Sequence, residues 1–224
     1  MGREINGWKI LKKYYKGRDE SHGWGHVQEV ALNALYIARC EYINNDRDKT
    51  IIVVSALGHD IWDHKYIDPR LERIIKRMFN TDLQRFGLLA ADRDLITRII
   101  DCISYSKESE MRKNGKSFDL EVPEEKLRNI VSDADKLEAL GEVCIRRMIE
   151  YEIKKKNSTT IEDHMAHIKQ HCNEKLYLLI DQGYFKTEIG KQLAEPLMTE
   201  LKEVVDDDLK LVKFIKDYLK GRTI

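Results

Sequence analysis

The most apolar stretch of this chain, IIVVSALGHDIWDHK over residues 51–65, constrains its fold more than any other feature. Periodicity alone leaves IIVVSAL open as a buried strand or a core helix. No second strand-like run exists to pair with it, so the helix reading stands. The run ends in a base and a carboxylate, His59 and Asp60. Buried charge is costly unless it is paired or binds a cation. The pair therefore either faces solvent at the end of an element or holds a metal.

The remaining pattern is also helical. Only three prolines occur in 224 residues, at 69, 123 and 196. Charged residues make up 35% of the chain, above the usual quarter, as long amphipathic helices with solvated faces require. Helices are expected over about 3–15, with Ile5, Trp8, Leu11 and Tyr15 on one stripe, and over 25–43, 49–62, 67–80 and 92–107. Further helices are expected from Pro123 to about 156, from a Thr159 or Thr160 cap to Gly183, and over 187–219. Residues 107–122, KESEMRKNGKSFDLEV, are polar and contain an Asn-Gly turn signal. They read as a mobile loop that gates a site. The loop separates no two compositions, so the expectation is one all-α domain.

The bulk properties exclude several classes. Thirty-nine basic residues balance 39 acidic ones, which argues against general nucleic-acid binding. No run reaches the ~18 apolar residues of a membrane span. The opening MGREINGWKILKKYYKG holds no apolar signal core, and Asn6 stands where a myristoylation signal needs Ser or Thr. Cys40, Cys102, Cys144 and Cys172 are widely spaced without CxxC, so zinc-finger and redox readings lack support. A cytoplasmic protein with reduced thiols is the expectation.

Two more segments bear on the doublet. SHGWGHVQEV carries His22 and His26, and His26 shares the helical face of Val30, Ala34 and Ile37. SDADKLEALG carries Asp133 and Asp135; two residues apart on a helix they diverge, so at most one faces a site. Taken singly, each of these residues has an ordinary structural explanation. Together they could supply two nitrogen and two oxygen ligands to one ion. His164, His167 and His171 also have helical spacing, but a polar helix face explains them more simply. Lys154 to Lys156 read as a solvated helix end.

The order His, His-Asp, Asp resembles the HD-domain superfamily of metal-dependent phosphohydrolases. SHGWGHVQEV, ALGHDIWDHKY and DADKLEALG resemble that family's three linked motifs. HCNEKLYLL and TEIGKQLAEPL resemble the C-terminal helices of a nucleotide pyrophosphohydrolase-like subgroup. The resemblance covers about residues 16–200. It departs at Gly23, where the subgroup carries an acidic residue, and in the longer, more charged 107–122 segment.

The resemblance implies an all-α HD bundle in a single domain, with a metal core over about 16–150 and C-terminal helices, about 151–224, packing on it. It implies that His26, His59, Asp60 and Asp135 hold one divalent transition metal. Manganese, iron, zinc, cobalt and nickel all suit such donors. No histidine lies between His64 and Asp135, which disfavours a second metal and an oxygenase. Asp60 and Asp63 are the catalytic candidates, and His22, Lys65 and Lys107 the candidates to bind substrate. The implied partner is a small phosphate ester or nucleotide, with no membrane; a homodimer is compatible with this. The implied reaction is hydrolysis of nucleoside triphosphates or monophosphates. The alternative is a metal- and nucleotide-binding regulatory module without turnover.

Overall fold

The computed structural model describes residues 7–19, 22–156 and 160–221, and it divides the chain into two compact units, Met1–Asp135 and Lys136–Ile224. Among the described residues there is no strand.

The first unit begins with a 3₁₀ helix, Lys9–Tyr15, which buries Leu11 and Tyr15. Ile5 and Thr159, assigned to a stripe and a cap above, lie outside the described residues. Helix α1 is Trp24–Cys40 and buries His26, Val27, Val30, Ala34 and Ile37 along one face. Helix α2 is Asp46–Gly58. The Asn45 side chain accepts the Asp48 backbone N–H at 2.8 Å and caps it. Every residue from Ile51 to Gly58 is buried, so α2 shows no amphipathic period. That is why its sequence resembles a buried strand.

Helix α3, Pro69–Arg85, starts on an Asp68 cap with proline in its first turn. Helix α4 is Ala90–Asp101. α2 packs against α1 and α4, and α4 also packs against α3. Their convergence leaves no room at Gly58. A Cβ there would lie 2.8 Å from Ile100 Cδ1 and 3.1 Å from Phe79 Cζ. A residue without a side chain thus lets three helices meet just before His59.

The 107–122 segment departs from the loop expectation. Tyr105–Lys113 forms helix α5, capped by the Ser104 side chain. Glu108 is buried in it and meets Arg128 at 3.2 Å, with side chains 4% and 2% exposed. The Arg128 guanidinium also donates to the Cys102 carbonyl at 2.9 and 3.1 Å and lies 4.6 Å from the Phe118 ring centre. This long-range anchor orders residues whose local sequence reads as loop. Helix α6, Val122–Leu137, carries Arg128 and has Pro123 in its first turn.

In the second unit, α7 is Gly141–Tyr151 and α8 is Ile161–His171, capped by Thr160. Short π-helical turns follow at Glu152–Lys156 and Cys172–Leu176. α9 is Tyr177–Asp181, α10 Glu188–Val205 and α11 Asp208–Gly221. α10 packs on α7, α9 and α11, and α8 on α7 and α11.

Three helices expected to be continuous are broken. The 92–107 helix stops at Asp101 and a new one starts on the Ser104 cap. The 123–156 helix stops at Leu137, and Gly141 takes φ +69° with Glu200 and Leu197 atoms 3.2–3.3 Å from where its Cβ would lie. The 187–219 helix breaks before Asp208. There the Asp207 carboxylate accepts the Leu209 and Lys210 backbone N–H groups at 2.9 and 3.1 Å. All four cysteines are free, with Cys144 and Cys172 buried and the others half-buried. No described helix is long and apolar enough to cross a membrane.

Candidate metal centre

The centre lies within the Met1–Asp135 unit. His26 comes from the first turn of α1, His59 and Asp60 from the end of α2, and Asp135 from the end of α6. His26, His59 and Asp60 are 8%, 7% and 8% exposed, while the Asp135 side chain is 34% exposed. His59 Nε2 lies 3.4 Å from both Asp60 Oδ1 and Asp135 Oδ1. His26 Nε2 lies 3.5 Å from Asp135 Oδ1 and 3.9 Å from Asp60 Oδ2. The two imidazole rings meet edge to face at 5.3 Å.

These donors fit a metal. Two ligand atoms each ~2.1 Å from an ion sit ~3.0 Å apart at a right angle and ~3.4 Å apart at a tetrahedral one. The observed spacings begin at that upper value. Among the described residues, His26, His59 and Asp60 are the one group of three such side chains with donors mutually within 4.8 Å. Asp60 Oδ2 is buried without a hydrogen-bond partner there, an expensive condition unless a cation answers it.

The charges say the same. Burial pushes the His59 imidazole down, but Asp60 and Asp135 outweigh burial and raise it to about 10. Burial pushes the Asp135 carboxyl up, but His59 and His26 outweigh that and hold it well below the usual carboxylate range. Two carboxylates have thus gathered positive charge around themselves, which a divalent ion would supply in place of a proton. His59 Nδ1 donates to the Ala56 carbonyl at 2.8 Å. That bond fixes the tautomer and turns Nε2 toward the carboxylates. Asp133, two residues before Asp135 on α6, is fully buried.

Of the other candidates, His22 comes nearest to a donor, and Asp63, Lys65 and Lys107 make contacts of their own. His22 precedes α1, and its ring lies 6.2 Å from that of His26. The Tyr66 hydroxyl donates to Asp19 at 2.6 Å and stands 2.9 Å from His22 Nδ1. Asp63 sits in the turn after the doublet and accepts the Lys65 backbone N–H at 2.9 Å. Its carboxylate lies 4.0 Å from the Lys65 ammonium and 3.4 Å from His64 Nδ1. Lys107, on α5, donates to the Asp101 carbonyl at 3.0 Å. In the second unit, His164 is buried and His167 faces the buried Glu152 at 3.2 Å.

No family model and no curated protein sequence matches the chain. Solved structures do. Bacillus subtilis YpgQ, in complex with ADP, is 25% identical with a TM-score of 0.65, covering 91% of this chain and 92% of its own. A Lactobacillus plantarum protein is 23% identical with a TM-score of 0.68, covering 92% and 95%. An HD-superfamily hydrolase from Bacillus thuringiensis is 20% identical with a TM-score of 0.59, covering 99% and 96%. The chain has the HD-superfamily fold. His59 and Asp60, the pair that resembles the family's HD doublet, stand at the end of the most deeply buried helix of the first unit.

Sequence reasoning gives no warning of the residues that brace the HD doublet. Arg18 donates to the Asp60 and Ile61 carbonyls, both at 2.7 Å. The Tyr15 hydroxyl donates to the Leu57 carbonyl at 2.6 Å. Trp62 Nε1 and the Lys76 ammonium both donate to Asp101, at 2.9 and 2.7 Å. For Arg18 and Tyr15 the partners are backbone carbonyls, which occur at every position and leave no residue pattern to find.

Proposed function

We propose that this chain is a metal-dependent phosphohydrolase acting on nucleotides. The observation that carries the reading is the convergence of His26, His59, Asp60 and Asp135 donors at 3.4–3.9 Å in an HD fold. Nucleotide choice draws support from the ADP bound by the B. subtilis neighbour. The subgroup resemblance favours release of pyrophosphate from nucleoside triphosphates over release of phosphate from monophosphates. On this reading the whole chain works as one functional domain, and its compartment is the cytoplasm.

A divalent transition metal held by the four side chains would polarise a phosphoryl oxygen and make a water more acidic. Asp60 orients that water through its second carboxylate oxygen. Asp63, one turn further on, takes the water's proton or holds Lys65 toward substrate. Lys65 and Lys107 carry the positive charge that substrate phosphates require. His22, its Nδ1 engaged by Tyr66 and its orientation fixed by Tyr66 and Asp19, offers its other ring nitrogen to substrate as a donor when the ring is protonated.

The test is a screen for phosphate and pyrophosphate release over nucleoside mono-, di- and triphosphates with Mn²⁺, Fe²⁺, Zn²⁺, Co²⁺ and Ni²⁺. Turnover of one phosphate class with a bound metal supports the reading. Metal binding without release from any nucleotide sinks it in favour of a binding module. Asp63→Ala separates ligand from catalyst: metal content should persist while turnover falls roughly 10²–10⁴-fold, the range for lost acid–base help. Turnover near wild type would reduce Asp63 to a turn residue.

A further inference from the structure

The HD doublet belongs to a turn, and something outside that turn sets its position. After Gly58 the chain leaves α2. The Ile61 N–H returns to the Gly58 carbonyl at 3.0 Å, and the Asp63 N–H to the Asp60 carbonyl at 3.0 Å. Neither bond restrains the rotation of the Asp60 and Ile61 peptide units relative to α1 and α6, which carry the other donors.

Arg18 supplies that restraint. Its two terminal nitrogens each take one of the two successive carbonyls, Asp60 O and Ile61 O, at 2.7 Å. The guanidinium carbon lies 4.9 Å from the ring centres of both Tyr15 and Tyr66. Two hydrogen bonds define its in-plane position, and two aromatic contacts its out-of-plane position. The tyrosines are anchored in turn, Tyr15 on the Leu57 carbonyl in α2 and Tyr66 on Asp19. The positive charge also meets carbonyls at a helix C-terminal end, where the backbone dipole favours a cation.

We propose that Arg18 is the positioning residue of the metal centre: clamped between Tyr15 and Tyr66, it holds the Asp60 and Ile61 carbonyls and thereby aims the Asp60 carboxylate at the point shared with His26, His59 and Asp135. The proposal rests on the metal reading above but concerns a residue that touches neither metal nor substrate. Lysine cannot replace it. One ammonium on a flexible stem lacks the planar fork that meets two carbonyls while stacking on two rings.

Titration calorimetry of the full chain with Mn²⁺ and Ni²⁺ at one pH, with metal-free thermal unfolding followed by circular dichroism, tests it. Residues that orient metal ligands typically cost about 10–100-fold in metal affinity when lost. Arg18→Ala should weaken binding within that range, and Arg18→Lys should also bind measurably less tightly than wild type. Added guanidinium ion should restore affinity to the folded Arg18→Ala protein and leave wild type unchanged. Wild-type affinity in Arg18→Ala, or a loss that only tracks the unfolded fraction and that guanidinium does not restore, overturns the proposal. If Arg18→Ala fails to fold, Arg18→Lys decides, and wild-type affinity there overturns it too. A wild-type protein that takes up neither metal overturns the metal reading, and this proposal with it; uptake by wild type with no change in the variants overturns this proposal alone.

Discussion

Two groups of buried charge in the first unit are arranged differently. Arg128 and Glu108 close on each other. The guanidinium meets a carboxylate, a carbonyl and an aromatic face, all within one buried contact. The HD centre stays open. Its carboxylates and imidazoles stand 3.4–3.9 Å apart, beyond good hydrogen-bond length, and one carboxylate oxygen is buried without a partner. A closed pair fastens one helix to another. An open set of donors that share one focus is arranged for something the chain does not itself contain. The lesson is to look at what each buried charge leaves unanswered, rather than at burial itself.

Replacing Asp60 with Ala should break the comparison most visibly on the open side. It removes a donor and the orientation of water together, so metal uptake and hydrolysis should both fall to background. Calorimetry and a phosphate assay read this directly, and full activity in Asp60→Ala would end the HD reading.

On the closed side, Arg128→Met should cost about 3–5 kcal/mol, because it removes one partner of a buried ion pair. Adding Glu108→Leu should recover most of that loss. Denaturant unfolding of the two variants checks the claim, and an unchanged midpoint for Arg128→Met would show that the pair is not the anchor of α5.

Gly58→Ala sharpens the comparison at the junction where three helices converge on the doublet. The added methyl meets Ile100 and Phe79, so about 1–3 kcal/mol of stability should be lost to overpacking. A variant as stable as wild type would mean that the helices separate easily there.

The smallest expected effect is the pH response of the open set. The metal-free protein holds a proton on His59, whose imidazole burial would lower but Asp60 and Asp135 raise to about 10 from the ordinary 6.5. A group raised by folding adds stability below its unfolded value and loses that contribution as pH climbs through its folded one. Metal-free stability from this source should therefore decline between pH 6.5 and 10. A metal takes the place of that proton, so its affinity should rise by about tenfold per pH unit over roughly pH 7–9. A pH-independent affinity in calorimetry would show that His59 gives up no proton.

The all-helical fold, and the approach of His26, His59, Asp60 and Asp135 to one another, were legible because both rest on local or ordered signals. The lack of a pairing partner for IIVVSAL identified α2 as helix. His26 shared the spacing of Val30, Ala34 and Ile37, and the structure places all four on one buried face. α5 was illegible because its ordering depends on Arg128, twenty residues away from Glu108. The break before α11 did have a signal, in the Asp207 cap, but the apolar periodicity running through 187–219 outweighed it. Arg18 lay beyond sequence reasoning altogether, since it reads as a solvated charge in a polar connection and its partners are main-chain oxygens.

One feature of the doublet's surroundings bears on how such a protein diversifies. Ile51 to Gly58 are buried on every side, whereas a few residues past the doublet the chain is in water, with the His64 and Lys65 side chains 79% and 55% exposed. Substitutions in the helix disturb packing at once. Substitutions at His64 and Lys65 disturb little packing and act mainly on what approaches from solvent. Under the function proposed above, changes at these exposed positions would alter what meets an incoming phosphate while leaving the four donors on their own helices undisturbed.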